Sequence, residues 1–312
     1  MRVGTPCPQP SNPPTFKMST YPHWILEAVK KNKAGLHEEP SLDTRGDLAD
    51  ARLHTVCDEA LCPNKGRCFS SGEATFLILG DVCTRTCRFC AVSKKTPLPP
   101  DPDEPRRVRE LSRKWGLKYV VFTSPTRDDL PDGGAAHFAE TVRQIRNLDP
   151  YIKTEPLIPD LNGNPDALLH ILSPGPHVLA HNIETVPSLY GKVRQGADYK
   201  RSLRLLKTAK QRRPDILTKS GLMLGLGESE KEVENTLRDL LEHGCDLLTL
   251  GQYLAPSKAH LPVERYAAPE EFSAWEKKAL ELGFKAALCG PLVRSSYRAA
   301  ELYQKARCRT GS

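Results

Sequence analysis

The chain has 312 residues, 39% of them hydrophobic and 27% charged, with a formal net charge of +7. This content suits a globular fold of one large α/β domain or two small ones, and no apolar run approaches the roughly 20 residues that a membrane span needs. The basic excess is modest and mixed with acidic residues. It therefore gives no case for nucleic acid by itself, and it favours encounter with an acidic protein.

In chain order, residues 1–19 come first. Met1 to Lys17 is Pro-rich and lacks an apolar core, so it reads as neither a secretory signal nor an Arg-rich transit peptide, and a disordered extension is expected. The expected location is cytoplasmic. Residues 20–73 hold a first group of cysteines, Cys57, Cys62 and Cys68, spaced C-x4-C-x5-C. Short apolar runs then alternate with helical patterns. Strands are predicted at Thr75–Leu79, Tyr119–Phe122, Thr154–Ile158, Val178–His181, Leu217–Met223 and Asp246–Leu250. Helices are predicted at Pro105–Lys114, Ala135–Asn147, Pro165–Leu172, Lys200–Arg212, Ser229–His243 and Pro269–Leu282. Such alternation implies parallel strands joined by helical crossovers, with functional side chains at the C-terminal ends of the strands. A last helical pattern covers Tyr297–Lys305.

The stretch with the most chemistry is Cys83-Thr-Arg-Thr-Cys87-Arg-Phe-Cys90, a C-x3-C-x2-C motif just past the first main strand. Three thiolates can hold three irons of a [4Fe–4S] cube and leave the fourth open to a substrate. Zinc is the alternative, but zinc prefers four closed ligands and usually pairs two C-x2-C halves. The spacing on such a loop resembles that of radical S-adenosylmethionine (SAM) enzymes, in which an aromatic such as Phe89 often shields the cluster. The C-x4-C-x5-C group is a second triplet without a fourth partner nearby. It lacks the tight ferredoxin spacing, and a disulfide framework does not suit a redox-active chain without a secretory signal. Two clusters, each on three cysteines, are the simplest account. Cys7, Cys245, Cys289 and Cys308 stand outside both groups and read as buried or incidental thiols.

Both triplets in their flanks, from His54 to Asn64 and from Gly80 to Cys90, resemble the lipoyl synthase family. The likeness continues through Thr123-Ser124, Arg127 to Ala135, His181 to Val186, Val193 to Tyr199, Lys219 to Glu228, Gln252 to Ser257 and Gly290 to Tyr297, about residues 20 to 303 in all. The resemblance implies an open, partial (β/α)6 radical SAM barrel over residues 74–290. An N-terminal extension would carry an auxiliary cluster, and residues 291–312 would close over it. It implies two [4Fe–4S] clusters and SAM as cofactors. The cluster on Cys83, Cys87 and Cys90 would cleave SAM to a 5′-deoxyadenosyl radical. The cluster on Cys57, Cys62 and Cys68 would give up its sulfides to carbons 6 and 8 of an octanoyl chain on a carrier lysine. General acid–base chemistry cannot reach such unactivated C–H bonds, whereas a cofactor-derived radical can.

Implied partners are an octanoylated lipoyl carrier domain (a 2-oxoacid dehydrogenase E2 subunit or a glycine-cleavage H protein), a ferredoxin- or flavodoxin-type reductant, and an iron–sulfur carrier that rebuilds the second cluster. Neither nucleic acid nor membrane is expected. A methylthiotransferase-like enzyme is the alternative, although that group usually carries a further N-terminal domain and a C-terminal RNA-binding domain, neither of which is expected here. A plain iron–sulfur electron carrier would need no barrel and no Gly221–Glu228 segment.

The same likeness assigns SAM contacts to Thr123, Asn182, Glu184, Arg194, Gly225 and Glu228. Each has an ordinary structural alternative. Glycines such as Gly225 admit close approach of a ligand or simply make a strand-to-helix turn, with Glu228 favoured near the next helix N-terminus. Asn182 and Glu184 hold ribose hydroxyls or cap the next helix. Arg194 clamps a carboxylate or sits in solvent. Ser295, in Arg294-Ser-Ser-Tyr297, matches the family serine that gives an oxygen to the fourth auxiliary iron; as an alternative, Ser295 or Ser296 caps the last helix. A hard oxygen suits iron in a sulfide cluster less well than a thiolate, so that iron would leave first. The chain departs from the family pattern at Gln195, where proline is usual, and at Pro125 and Thr126.

Overall fold

A computed structural model describes residues 21–34, 44–70 and 74–309. The expected extension at residues 1–19 and Cys7 lie outside the described residues. Helices α1 (His23–Ala34) and α2 (Thr44–Asp50) come first. They are followed by β1 (His54–Thr55), α3 (Val56–Glu59), α4 (Lys65–Ser70) and β2 (Thr75–Leu77). The chain then alternates through α5 (Glu104–Lys114), β3 (Tyr119–Thr123), α6 (Ala135–Leu148), β4 (Lys153–Leu157), α7 (Pro165–Leu172) and β5 (Val178–Ala180). It continues with α8 (Tyr190–Val193), α9 (Tyr199–Arg212), β6 (Leu217–Leu224), α10 (Glu230–Glu242), β7 (Leu247–Gln252), α11 (Pro269–Leu282), β8 (Ala286–Gly290) and α12 (Ala299–Arg309).

The eight strands form one sheet in chain order. β1 runs antiparallel to β2, through His54 opposite Leu77 and Thr55 opposite Phe76. Every later pairing is parallel, from Thr75 opposite Val121 to Gly251 opposite Gly290. All six predicted strands form, and the expected partial barrel gains a seventh parallel strand, β8. Among the described residues β1 and β8 are not paired with each other, so the barrel is open.

Local signals explain the helix boundaries. Asn164 accepts from the amides of Asp166 and Ala167 ahead of α7, with Pro165 at the first helical position. Ser229 and Glu232 form a capping box at α10. Pro269 opens α11 and Gly283, at φ 122°, ends it. The apolar faces of α5, α6 and α7 bury Val108, Leu111, Phe138, Val142, Ile145 and Leu168 against β2–β4. Those of α9, α10 and α11 bury Leu206, Val233, Leu237, Leu240, Phe272 and Trp275 against β6–β8.

The last helix covers the N-terminal end of the barrel. α12 packs on β8 and reaches β3. Leu302 and Ala306 sit against Val178, Leu217, Leu247 and Ala286 at the starts of four strands, and the Tyr303 ring lies 5.7 Å from that of Tyr119. Inside the barrel, Lys219 Nζ donates to Glu155 Oε1 at 2.6 Å, across the intervening strand β5, and Tyr119 Oη donates to Glu155 Oε2. Both charged groups are essentially without solvent.

Candidate active site

The loop bearing Cys83, Cys87 and Cys90 leaves β2 and lies at the C-terminal mouth of the barrel. Five backbone contacts clamp it: Cys83 N to Ser93 O (2.8 Å), Thr84 N to Thr126 O (3.0 Å), Cys90 N to Cys87 O (3.3 Å), Arg88 N to Val193 O (3.0 Å) and Leu261 N to Arg88 O (3.2 Å). Phe89 packs among Val193, Leu226, Tyr253 and Leu261. Two departures from the family pattern also serve this loop. The Thr126 carbonyl accepts from the Thr84 hydroxyl, and Gln195 Oε1 accepts from Thr86 Oγ1.

The sulfurs of Cys87 and Cys90 both lie within electrostatic reach of Cys83 and Lys94. Burial pushes the Cys87 thiol up to about 11; Arg194 opposes this, and Cys90 and Cys83 add to it. Cys90 is raised by burial, with smaller contributions from Cys83 and Glu184. In the second group, Cys57 lies on α3, Cys62 in the turn after it and Cys68 on α4. Burial and then Cys62 push Cys57 to about 11. The described cysteines are all free. Burial and neighbouring thiols disfavour ionisation of Cys57, Cys87 and Cys90, Lys65, Lys94 and Arg194 favour it, and a bound iron cluster would add further positive charge. The donor sets thus fit the expected clusters. Past the ends of β3 and β5, the buried Ser124 Oγ and Thr185 Oγ1 have no hydrogen-bond partner, which fits a polar ligand at this mouth.

Asn182 and Glu184 lie between the two groups. Glu184 is half-buried, with a left-handed φ of 67°. Burial raises its carboxyl, and Arg194, Asn182 and Arg294 counteract this. Asn182 Nδ2 donates to Glu184 Oε1 at 3.0 Å, and Ser295 Oγ donates to Asn182 Oδ1 at 2.8 Å. Neither residue caps a helix, because the next turn, Pro187–Leu189, is preceded by Val186. Ser295 does not cap one either, since α12 begins only at Ala299. Arg294 is half-buried, within electrostatic reach of both Cys62 and Glu184. The segment that carries it crosses Gly251 so closely that a Cβ there would lie 2.1 Å from the Val293 carbonyl oxygen.

The remaining predicted contacts divide. Arg194 is half-buried, and Nη1 donates to the Asn182 carbonyl (2.8 Å) and to Tyr190 Oη (3.1 Å). Thr123 spends its hydroxyl proton on the Leu157 carbonyl. Gly225 and Glu228 build the strand-to-helix turn after β6. A Cβ at Gly225 would meet Gln252 Nε2 at 2.2 Å and the Arg265 carbonyl at 2.5 Å, so the protein itself fills the clearance. The Glu228 carboxylate accepts from the amides of Gly225 and Leu226 at 2.7 and 2.9 Å, which closes the strand-to-helix turn.

A model of the radical SAM superfamily matches residues 77–240. The chain is 56% identical over 256 residues to the lipoyl synthase of Thiobacillus denitrificans, covering 82% of each. To that of Shewanella sp. strain MR-7 it is 56% identical over 280 residues, covering 89% of this chain and 85% of the relative. This chain belongs to the lipoyl synthase family. It is therefore a radical SAM sulfur-inserting enzyme whose cofactors are SAM and [4Fe–4S] clusters, and the methylthiotransferase alternative falls away. Among solved structures, HydG, a maturase of the [FeFe]-hydrogenase, superposes with a TM-score of 0.54 at 13% identity, covering 83% of this chain and 65% of that one. Streptococcus suis SuiB bound to S-adenosylmethionine gives 0.52 at 11% identity, covering 83% and 57%. These two show the fold alone. Among the described residues no helix is long and apolar enough to cross a membrane.

Three positions in this lipoyl synthase family member escape sequence reasoning. Arg85, inside the first triplet, is buried and bonds Asp128 (2.8 and 3.0 Å), Asp160 (2.7 Å) and Asn162 (2.8 Å). Arg201 takes the other Asp160 oxygen at 2.9 Å. Asn64, beside the second triplet, bonds Asn32 and the Leu292 carbonyl, each at 2.6 Å. The only local signal is that Arg85 stands within the cysteine motif and Asp160 follows a strand end.

Proposed function

We propose that this enzyme inserts two sulfur atoms, at carbons 6 and 8, into an octanoyl group carried on a lysine of a lipoyl carrier domain. The observation that supports this most is that Arg294 lies within electrostatic reach of both Cys62 of the second triplet and Glu184, which lies within reach of Cys90 of the first. When bound, the cofactors supply a carbon radical from SAM and sulfide from the second cluster. Cys83, Cys87 and Cys90 hold the first cluster, with one iron left for SAM. Cys57, Cys62, Cys68 and Ser295 hold the second. Asn182, Glu184 and Arg194 line the SAM side. Thr123, with its proton engaged, offers only acceptor capacity there.

The C-terminal segment, pinned by Asn64 to the Leu292 carbonyl, closes over the second cluster and presents Ser295. The carrier domain has an acidic face, which the +7 chain favours on encounter. An octanoylated E2 or H-protein domain, a ferredoxin or flavodoxin and an iron–sulfur carrier complete the cycle. The test is anaerobic reaction with SAM and dithionite. Changing Cys83, Cys87 or Cys90 to Ala abolishes 5′-deoxyadenosine, whereas changing Cys57, Cys62 or Cys68 leaves some 5′-deoxyadenosine and no sulfur product. Equal loss of SAM cleavage in both sets, with the first cluster intact, contradicts the assignment.

A further inference from the structure

Ser295, Asn182 and Glu184 form a directed chain. Ser295 Oγ donates to Asn182 Oδ1 at 2.8 Å, and Asn182 Nδ2 donates to Glu184 Oε1 at 3.0 Å. A serine hydroxyl has one proton and two lone pairs, so a proton aimed at the amide oxygen leaves the lone pairs facing elsewhere. An amide has a donor end and an acceptor end. Turned over, Asn182 would set its oxygen against the Glu184 carboxylate, so the carboxylate fixes the amide and the amide fixes the hydroxyl.

The surroundings hold this arrangement from three sides. Arg194 Nη1 bonds the Asn182 carbonyl at 2.8 Å. Gly221 leaves room for the amide, because a Cβ there would lie 2.9 Å from Asn182 Oδ1 and 3.0 Å from Thr249 Oγ1. Glu184 keeps a left-handed φ of 67°, a strain that the packing must offset in a non-glycine residue. At its far end the chain reaches the second triplet, since Arg294, next to Ser295, faces both Cys62 and Glu184.

We propose that Asn182 is a positioning residue for the second metal centre: it turns the Ser295 proton inward and leaves the oxygen lone pairs for the iron that Cys57, Cys62 and Cys68 do not fill. A neutral amide takes no proton, so the role is orientation and not base catalysis. The inference rests on Ser295 as an iron ligand and adds the residue that aims it. Because Asn182 also lines the SAM side, the orientation of the second cluster's oxygen ligand is built into the wall of the first cluster's pocket.

The experiment uses the full chain with Cys83, Cys87 and Cys90 changed to Ala, reconstituted so that only the second cluster forms. The readout is the rate at which a chelator removes the first iron, followed by electron paramagnetic resonance of the three-iron product. Ser295→Ala is expected to speed this loss. Asn182→Ala is expected to speed it about 10-fold, the low end of what lost support of a metal ligand costs. The double variant is expected to be no faster than Ser295→Ala alone. Asn182→Asp, which sets two carboxylates together, is also fast. Adding Glu184→Gln restores slow loss, because it reverses donor and acceptor at unchanged net charge. If Ser295→Ala is fast but Asn182→Ala matches the parent, or if the two effects multiply in the double variant, the role of Asn182 is overturned and the serine ligand stands. If Ser295→Ala itself matches the parent, the serine ligand fails and this inference with it.

Discussion

The Asn64 side-chain amide donates a 2.6 Å hydrogen bond to the carbonyl of Leu292, 228 residues further along the chain. Asn64 is buried beside the second triplet, and its own oxygen accepts from Asn32 at 2.6 Å. One side chain therefore joins α1, the second cysteine group and the segment that leads to Ser295.

Asn64→Ala leaves two buried polar groups without partners, at a cost of about 1–3 kcal/mol for each group left unpaired. The expected local effect is faster amide hydrogen exchange over residues 290–298, with little change in β3 to β6. Unchanged exchange in that segment would show that the Gly251 crossing alone holds it.

The first triplet loop depends on Arg85 and Asp160. Burial raises the Asp160 carboxyl, but the Arg85 hydrogen bond and charge outweigh it and hold the group at about 2, below its ordinary 3.8. A carboxyl with a lowered folded-state value contributes stability above its unfolded value and loses it as pH falls toward the folded one. Asp160→Asn should therefore destabilise the cluster-free protein most at neutral pH, by about 3–5 kcal/mol for a broken buried pair. The gap to the parent should narrow from about pH 4 downward. Urea midpoints over a pH series measure this, and a gap that widens in acid would reverse the sign of the argument.

The buried pair of Lys219 and Glu155 gives a separate test of the barrel interior. Lys219→Met strands the carboxylate and should cost about 3–5 kcal/mol. Lys219→Met with Glu155→Leu should recover much of that loss, since an apolar replacement of both partners removes the unpaired charge. Denaturant midpoints of the three variants decide it; a double variant as weak as Lys219→Met alone would mean that shape, not charge, sets the cost.

How much of this is legible in the sequence follows from the range of each interaction. The six internal strands show because they are short segments between turn residues, most of them apolar, that alternate with helical patterns. β8 reads Ala-Ala-Leu-Cys-Gly, with little intrinsic strand preference, and becomes a strand through pairing with Leu247–Gly251. β1 is two residues long and has no local signature. The cysteine triplets show because their spacing is local. The meeting of Ser295 with Asn182 spans 113 residues, and that of Arg85 with Asp160 spans 75, so neither leaves a pattern in the chain. At Gly225, a real glycine signal points to a ligand, and the structure fills the space with Gln252 and Arg265.

The central claim is that the second cysteine triplet supplies the sulfur that the first triplet's chemistry makes room for. Its most direct test is mass spectrometry of an octanoyl-lysyl carrier peptide after anaerobic reaction with enzyme whose clusters carry isotopically heavy sulfide. The account predicts a peptide that gains two heavy sulfurs. An unchanged peptide on fully reconstituted enzyme, or a gain of light sulfur only, would contradict it.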